Sequence, residues 1–140
     1  MTPEQRQVIV KTALTTGLTA VVVGMVACAL PLALMQALWH YIPRSGVSPG
    51  GFFGAIWIWG ALRKPGGITS LGFLNVALPY MAVTTIAMMM LADRLGVFAG
   101  TVVGSGLALG VAGAIAGYVT ARRSIEQPAA SGPAASAEER

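Results

Sequence analysis

Apolar residues are gathered into four segments along the chain, separated by short polar stretches, and each segment predicts a helix. The predicted membrane spans cover residues 12–38, 47–62, 71–92 and 96–120. Three of these segments reach the roughly 20 residues that a helix needs to cross a hydrocarbon core of about 30 Å. The second has only a short apolar run after Pro49, so it is either a short span or a re-entrant or interfacial segment. The pattern predicts an all-α integral membrane protein, a four-span helical bundle with a short or re-entrant second segment.

The fourth segment is rich in glycine, and its glycines recur every three or four residues. One row consists of Gly96, Gly100 and Gly104, and a second row, on another face, consists of Gly106, Gly110, Gly113 and Gly117. Small residues at this spacing let neighbouring backbones approach closely, which is how transmembrane helices associate in lipid. The first segment carries a candidate partner row, Thr16, Ala20, Gly24 and Cys28. We therefore predict that the seven glycines and Gly24 are helix-packing positions.

The first helix has a clear start signal. Thr2 is a suitable N-cap, Pro3 suits the first helical position, and Gln5 stands where a capping box needs it. The apolar run that follows is longer than the roughly 7–15 residues of a signal-peptide core, so we expect a retained helix instead of a cleaved leader. Pro31 is expected to kink this helix or to loosen its last two turns.

Basic residues distinguish two topologies for the second segment. If it crosses, seven basic residues share one side with the termini and only Arg44 and Arg94 remain on the other; if it does not, the split is six to three. The positive-inside rule favours the more uneven split. We therefore predict four crossings, with both termini on the cytoplasmic side of a bacterial inner membrane.

Composition supports a membrane protein of one domain. The chain is 55% hydrophobic and only 10% charged, whereas soluble domains carry about 25% charged residues. Its net charge of +4 does not indicate a nucleic-acid partner, because the basic residues stand beside apolar segments, where they set topology and contact lipid headgroups. We expect a bundle at residues 1–123 and a disordered cytoplasmic tail at 124–140, which is rich in alanine, proline, serine and glutamate.

Polar residues inside the predicted spans are few, and all five acidic residues lie outside the spans or at their edges. Asn75 and Tyr80 stand near one face of the third helix, and Trp57 lies in the aromatic second segment, so these three form a possible polar site. The alternatives are that Asn75 makes an interhelical hydrogen bond and that Trp57 faces lipid. A carrier coupled to protons usually needs a carboxylate or histidine at membrane depth, which argues against that mechanism.

No catalytic residue, metal site or cofactor is predicted, and we expect no enzyme activity. The sequence has no phosphate-binding loop, no nucleophile–base pair and no metal-ligand spacing. His40, the only histidine, is interpreted as an interface residue instead of a haem or metal ligand, since it stands between Trp39 and Tyr41. The three methionines at 88–90 point in three directions, which favours packing over a shared copper site.

The layout of four short helices with a glycine-containing fourth helix resembles the small multidrug resistance exporters. Two stretches carry the resemblance, Tyr41-Ile42-Pro43 after the first helix and Ala55-Ile56-Trp57 in the second. The resemblance implies a dimer that exports cations or amphiphiles. It does not extend to proton coupling, because the family's glutamate in the first helix is absent here and Thr15 and Thr16 lie near that depth.

Three functional hypotheses follow from these patterns. The first is a small multi-pass inner-membrane protein that acts through helix–helix association, as an accessory subunit of a membrane complex or as a homo-oligomer held by a glycine zipper. The second is a small oligomeric transporter of cations or amphiphiles. The third is a holin-like pore former, suggested by the small size, the glycine-rich packing and the charged tail.

Overall fold

The computed structural model describes residues 2–39, 49–63 and 72–127, and four α-helices account for nearly all of them. In chain order they are α1 (Pro3–Trp39), α2 (Pro49–Leu62), α3 (Phe73–Leu95) and α4 (Val97–Glu126). Helices α1, α3 and α4 are long and apolar enough to cross a membrane, whereas α2 has 14 residues and is shorter. The described part of the chain is therefore all-helical, with three helices that can span a bilayer.

The start of α1 has the predicted capping box. The Thr2 backbone N–H donates to Gln5 Oε1 at 3.0 Å, and the Gln5 backbone N–H donates to Thr2 Oγ1 at 3.3 Å. The helix then continues for 37 residues, through Pro31 to Trp39. At 1.5 Å per residue its length is about 55 Å. Because α1 includes the residues after Pro31, its last turns are helical and do not end at the proline.

The bounds of the other helices differ from the predicted spans, most clearly at the connection between α3 and α4. The third helix does not end at residue 92 but includes Asp93 and Arg94 in its last turn. The chain reverses at Gly96 alone, whose φ of 88° lies in the left-handed region that only glycine adopts freely. A Cβ on Gly96 would meet nothing within 4 Å, so no helix of the described chain packs against this glycine.

The remaining bounds are extended or shortened by a few residues. Pro49 takes the first position of α2, where its missing N–H removes no helical hydrogen bond. At the other end of the chain, α4 runs to Glu126, three residues into the predicted tail, and Arg122 forms an ion pair of 2.8 Å with Glu126 there. Predictions on residues 40–48, 64–71 and 128–140 lie outside the described residues; they include His40, the stretch beginning at Tyr41 and most of the tail.

Helix α4 is the centre of the bundle, because it packs against each of the other three helices. Helices α1 and α3 run antiparallel to α4, and α2 runs parallel to it. The contacts that fix these directions are Ala13 with Gly117 and Met25 with Gly106 for α1, Ala92 with Gly100 and Tyr80 with Ala108 for α3, and Gly50 with Ser105 and Arg63 with Arg123 for α2.

These directions give the bundle two chemically different ends. The end where α1 begins and α2 and α4 finish, called the basic end here, carries Arg6, Lys11, Arg63, Arg122 and Arg123. The opposite end, where Gly96 joins α3 to α4, is called the turn end. Among the described residues it carries a single basic side chain, Arg94.

Most residues buried inside the bundle are small, and most large apolar residues face outward. Ala112 is fully buried and Ala55 equally so, whereas Leu30 is 69% exposed and Val83 is 66% exposed. In water such an exterior would be strongly unfavourable. In lipid it carries no penalty, since acyl chains are as apolar as leucine, and close packing of small residues then holds the helices together.

Substitution of buried glycines tests this packing. A Cβ on Gly50 would overlap the Ser105 backbone, and one on Gly100 would overlap the backbone of Ala92. Because two backbones must then separate, Gly50→Ala and Gly100→Ala should each lower the free energy of unfolding by roughly 1–3 kcal/mol. Thermal unfolding in mild detergent, followed by circular dichroism, measures this change.

Gly60 provides the matched control, because it lies in α2 and a Cβ there meets nothing within 4 Å. Gly60→Ala should leave the unfolding temperature unchanged or raise it, since alanine favours a helix over glycine by about 1 kcal/mol. Equal unfolding temperatures for the Gly50, Gly60 and Gly100 variants would contradict the packing of α4.

Candidate functional site

The glycines of α4 lie against helices of the same chain. Gly106, Gly110, Gly113 and Gly117 face α1, Gly100 and Gly104 face α3, and Gly24 of α1 faces Leu109 and Gly106 of α4. The predicted row on α1 also faces α4: its members Thr16 and Ala20 lie opposite these glycines. Apart from Gly96, the glycines of both rows are thus covered by helices of the same chain.

The approach of α1 to α4 is close enough that a single methyl group would disturb it. A Cβ on Gly113 would lie 2.9 Å from Ala20 Cβ and 3.1 Å from the Thr16 carbonyl oxygen. A Cβ on Gly117 would lie 3.1 Å from the Thr16 side chain. This face of α4 therefore has no room for a helix of another chain.

The three residues of the predicted polar site are not brought together. Asn75 lies in the first turn of α3 and is exposed. Tyr80 is half-buried: it packs on Gly54 of α2 and donates a hydrogen bond to the Ala108 carbonyl of α4. Trp57 lies on the side of α2 that faces α1, and it is 39% exposed.

An open groove separates α1 from α2, and its floor is α4. The two helices barely touch, whereas each packs on α4. Two cavities of about 240 Å³ and about 410 Å³ follow the groove and share Gly24 and Leu109 in their linings, so they are neighbours along the same groove. We call it the α1–α2 groove. The side chains that give it its character are Thr15, Thr16, Thr19 and Trp57 in the larger cavity, and Ala27, Cys28, Pro31 and Phe53 in the smaller one.

Sequence patterns indicated some parts of this groove but not the groove itself. The sequence places Thr15 and Thr16 near the depth of the exporters' glutamate, and it indicates Trp57 as part of a possible polar site. Thr19 and Leu109 were missed, because a helical pattern shows which residues share a face but not which pair of helices stays apart. The three threonines within about one turn of α1 are the signal that was available.

Helix α2 is fixed to α4 at both of its ends. At the end of α2 nearer the turn end, Gly50 contacts the Ser105 backbone. Ser105 is eight residues after the start of α4 at Val97, which places this contact about 12 Å inward from Val97. At the basic end, Arg123 donates hydrogen bonds to the Leu62 carbonyl at 3.0 Å and to the Arg63 carbonyl at 3.2 Å. A cation at this place satisfies carbonyl groups that a helix C-terminus otherwise leaves without partners.

The chemistry of the groove is that of binding. Its lining is mostly apolar, with three threonines, Ser105 and an indole ring as the polar additions. In the described ranges, no three His, Cys, Asp or Glu side chains are grouped so that they could hold a metal ion. The charged side chains of the same ranges lie at the basic end and the turn end. The groove is therefore suited to an apolar or amphiphilic partner.

Removal of the Tyr80 hydroxyl tests the polar contact between α3 and α4. Tyr80→Phe should lower the free energy of unfolding by about 0.6–2 kcal/mol, the range for interhelical hydrogen bonds in membranes. Tyr118→Phe is the matched control, because Tyr118 is exposed on α4 and its hydroxyl interacts with Arg122 of the same helix instead of with another helix. Chemical unfolding in mixed micelles measures both. An equal effect of the two substitutions would show that the bond to Ala108 contributes nothing specific.

No protein-family model matches this sequence, and no curated protein or solved structure matches it either. The function is therefore inferred from the geometry of the chain.

Proposed function

We propose that this is a small multi-pass protein of the bacterial inner membrane that works through helix–helix association with other membrane chains. It is either an accessory subunit of a membrane complex or a self-associating bundle. The observation that carries the proposal is the α1–α2 groove, a gap between two helices that no other helix of the described chain fills.

The lining of the groove supports a helix as its occupant. Ala20, Gly24 and Ala27 present small side chains along α1, and Leu109 forms the floor. Small residues allow a docked helix to approach closely, and the cavities accept the side chains that such a helix projects. Thr15 and Thr19 add hydroxyl groups that can bond across an interface.

The glycines of α4 do not serve this purpose directly. They first suggested an association role, but α1 and α3 already cover them. In the present proposal they hold the bundle itself together, and the contact with another chain belongs to the groove. The outer face of α1 adds an apolar border, with Leu14, Leu18 and Leu30 each more than half exposed.

We further propose that the chain crosses the bilayer four times. Helices α1 and α3 are consecutive long helices that run in the same direction, so the chain between them has to return from the turn end to the basic end. Helix α2 runs in that returning direction, and Arg63 at its end lies beside Arg123. With its 14 residues, about 21 Å, α2 is a short crossing element. The excess of basic residues at the basic end favours a cytoplasmic location for both termini.

A second candidate function is transport of cations or amphiphiles by an oligomer. The observation in its favour is that Trp57 lies in the groove next to threonine hydroxyls and is only partly covered. An indole face attracts cations. In this alternative the groove is a path for a ligand instead of an interface for a helix.

Filling the groove tests the association proposal. Ala27 is exposed and lines the groove, so Ala27→Trp should block a docking helix and reduce the oligomeric or co-purifying fraction several-fold. Ala33→Trp is the matched control, because Ala33 is also an exposed alanine of α1 but is absent from the lining of either cavity. Blue-native gels and native mass spectrometry in mild detergent measure the fraction.

Two outcomes would contradict the association proposal. One is a strict monomer without co-purifying chains for the wild-type protein. The other is an equal loss of association in the Ala27 and Ala33 variants, which would place the interface outside the groove.

Labelling of single cysteines tests the four crossings. In a Cys28→Ala background, Thr2→Cys and Gly72→Cys should react with a membrane-impermeant maleimide from the same side, and Leu95→Cys from the opposite side. If α2 does not cross, Leu95→Cys reacts together with Thr2→Cys, and Gly72→Cys reacts from the other side. Permeabilised cells, in which all three positions must react, provide the control for reactivity.

A further inference from the structure

Two arginines meet around the last turn of α2, at the basic end of the bundle. Arg123 of α4 places its guanidinium group against the Leu62 and Arg63 carbonyls, at 3.0 and 3.2 Å. Arg63 folds back along its own helix, and its Cζ lies 5.6 Å from the centre of the Trp59 ring. Two positive charges are therefore held in place within one turn of α2, one by backbone carbonyls and the other by an aromatic face.

Arg63 and Arg123 differ from the neighbouring Arg122, whose charge is paired with a carboxylate. Arg122 donates to Glu126 at 2.8 Å, so its charge is balanced by a carboxylate. In residues 2–39, 49–63 and 72–127, neither Arg63 nor Arg123 has a carboxylate within ion-pair distance. Arg123 uses two of its five N–H donors on carbonyls, and the remaining donors can serve another acceptor.

The position of the two arginines along the bundle indicates which anion they would meet, because they lie at the depth of lipid headgroups. They lie where apolar helices end, and the Trp59 ring packs edge-on against Phe73 at a centroid distance of 5.7 Å. Tryptophan with flanking arginine is typical of the boundary between acyl chains and headgroups. Basic pockets between transmembrane helices at this depth bind anionic lipid headgroups.

We propose that Arg63 and Arg123 form a binding site for the phosphodiester of an anionic phospholipid. The guanidinium groups supply planar, multiply donating contacts to phosphate oxygens. The acyl chains lie along the outer apolar surface of α2 and α3. Because Arg123 also binds the carbonyls at the end of α2, a bound lipid is held at the point where α2 is attached to α4.

Lipid counting on the purified full-length protein tests this site. The protein in mild detergent is offered an equimolar mixture of phosphatidylglycerol and phosphatidylcholine, and the retained lipids are counted by native mass spectrometry. Each basic contact near a membrane surface strengthens anionic-lipid binding about fivefold. The wild-type protein should therefore prefer phosphatidylglycerol, and Arg63→Gln should reduce that preference about fivefold.

Arg63→Gln is the decisive variant, because Arg123 bonds to the backbone carbonyl of residue 63 and that group remains after the substitution. Circular dichroism before the titration confirms that its helix content is retained. Arg122→Gln is the matched control, since it removes the same charge one residue from Arg123 but from a group paired with Glu126. It should leave the lipid preference unchanged.

Three results would overturn the proposal. Equal retention of the two lipids by the wild-type protein shows that no anionic site exists. An equal loss of preference in the Arg122 and Arg63 variants shows general surface attraction instead of a site. Displacement of phosphatidylglycerol by inorganic phosphate in large molar excess shows that the ligand is a free anion and not a lipid.

Discussion

The structure depends on how closely other backbones can approach α4. In lipid, apolar surface gives helices no reason to associate, so van der Waals contact between backbones and short side chains has to hold the bundle together. Helix α4 makes this contact possible on several sides at once: Gly113 and Gly117 admit α1, Gly100 and Gly104 admit α3, and Ser105 lies against Gly50 of α2. The other helices are arranged around α4 and have less contact with one another than with α4.

The same constraint explains why small residues lie inside this bundle and large apolar residues lie outside, whereas a soluble protein buries its large apolar residues. Alanine and glycine occupy the inside, where backbones meet, and leucine and valine occupy the outside, where acyl chains solvate them. The α1–α2 groove is the place where this arrangement is incomplete. There α1 and α2 barely touch each other, and Leu109 of α4 lines the gap between them.

Much of the fold was predictable because local patterns determine it. The capping box at Thr2, the helical segments and the two faces of α4 follow from spacing alone. The spacing of residues does not show how deep a residue lies in the membrane or which helix packs against it. Asn75 has the same angular position whether its helix begins at residue 71 or 73, yet it lies in the exposed first turn. Gly96 continued a row spaced by four, but its φ of 88° makes it the turn between two helices. The Arg123 contacts join residues 60 and 61 positions apart, and the groove brings α1 and α2 beside Leu109 of α4, which no local pattern reveals.

The length of the 37-residue α1 makes the tilt of the bundle depend on the thickness of the bilayer. Its uncharged part, residues 12–38, measures about 40 Å, whereas a hydrocarbon core is about 30 Å thick. This mismatch is relieved when the helix leans away from the membrane normal or when the surrounding lipid stretches. Because α1 is packed backbone to backbone on α4, the two helices lean together. A thicker membrane would therefore hold this bundle more upright than a thin one, and lipid chain length becomes a variable that acts on its shape.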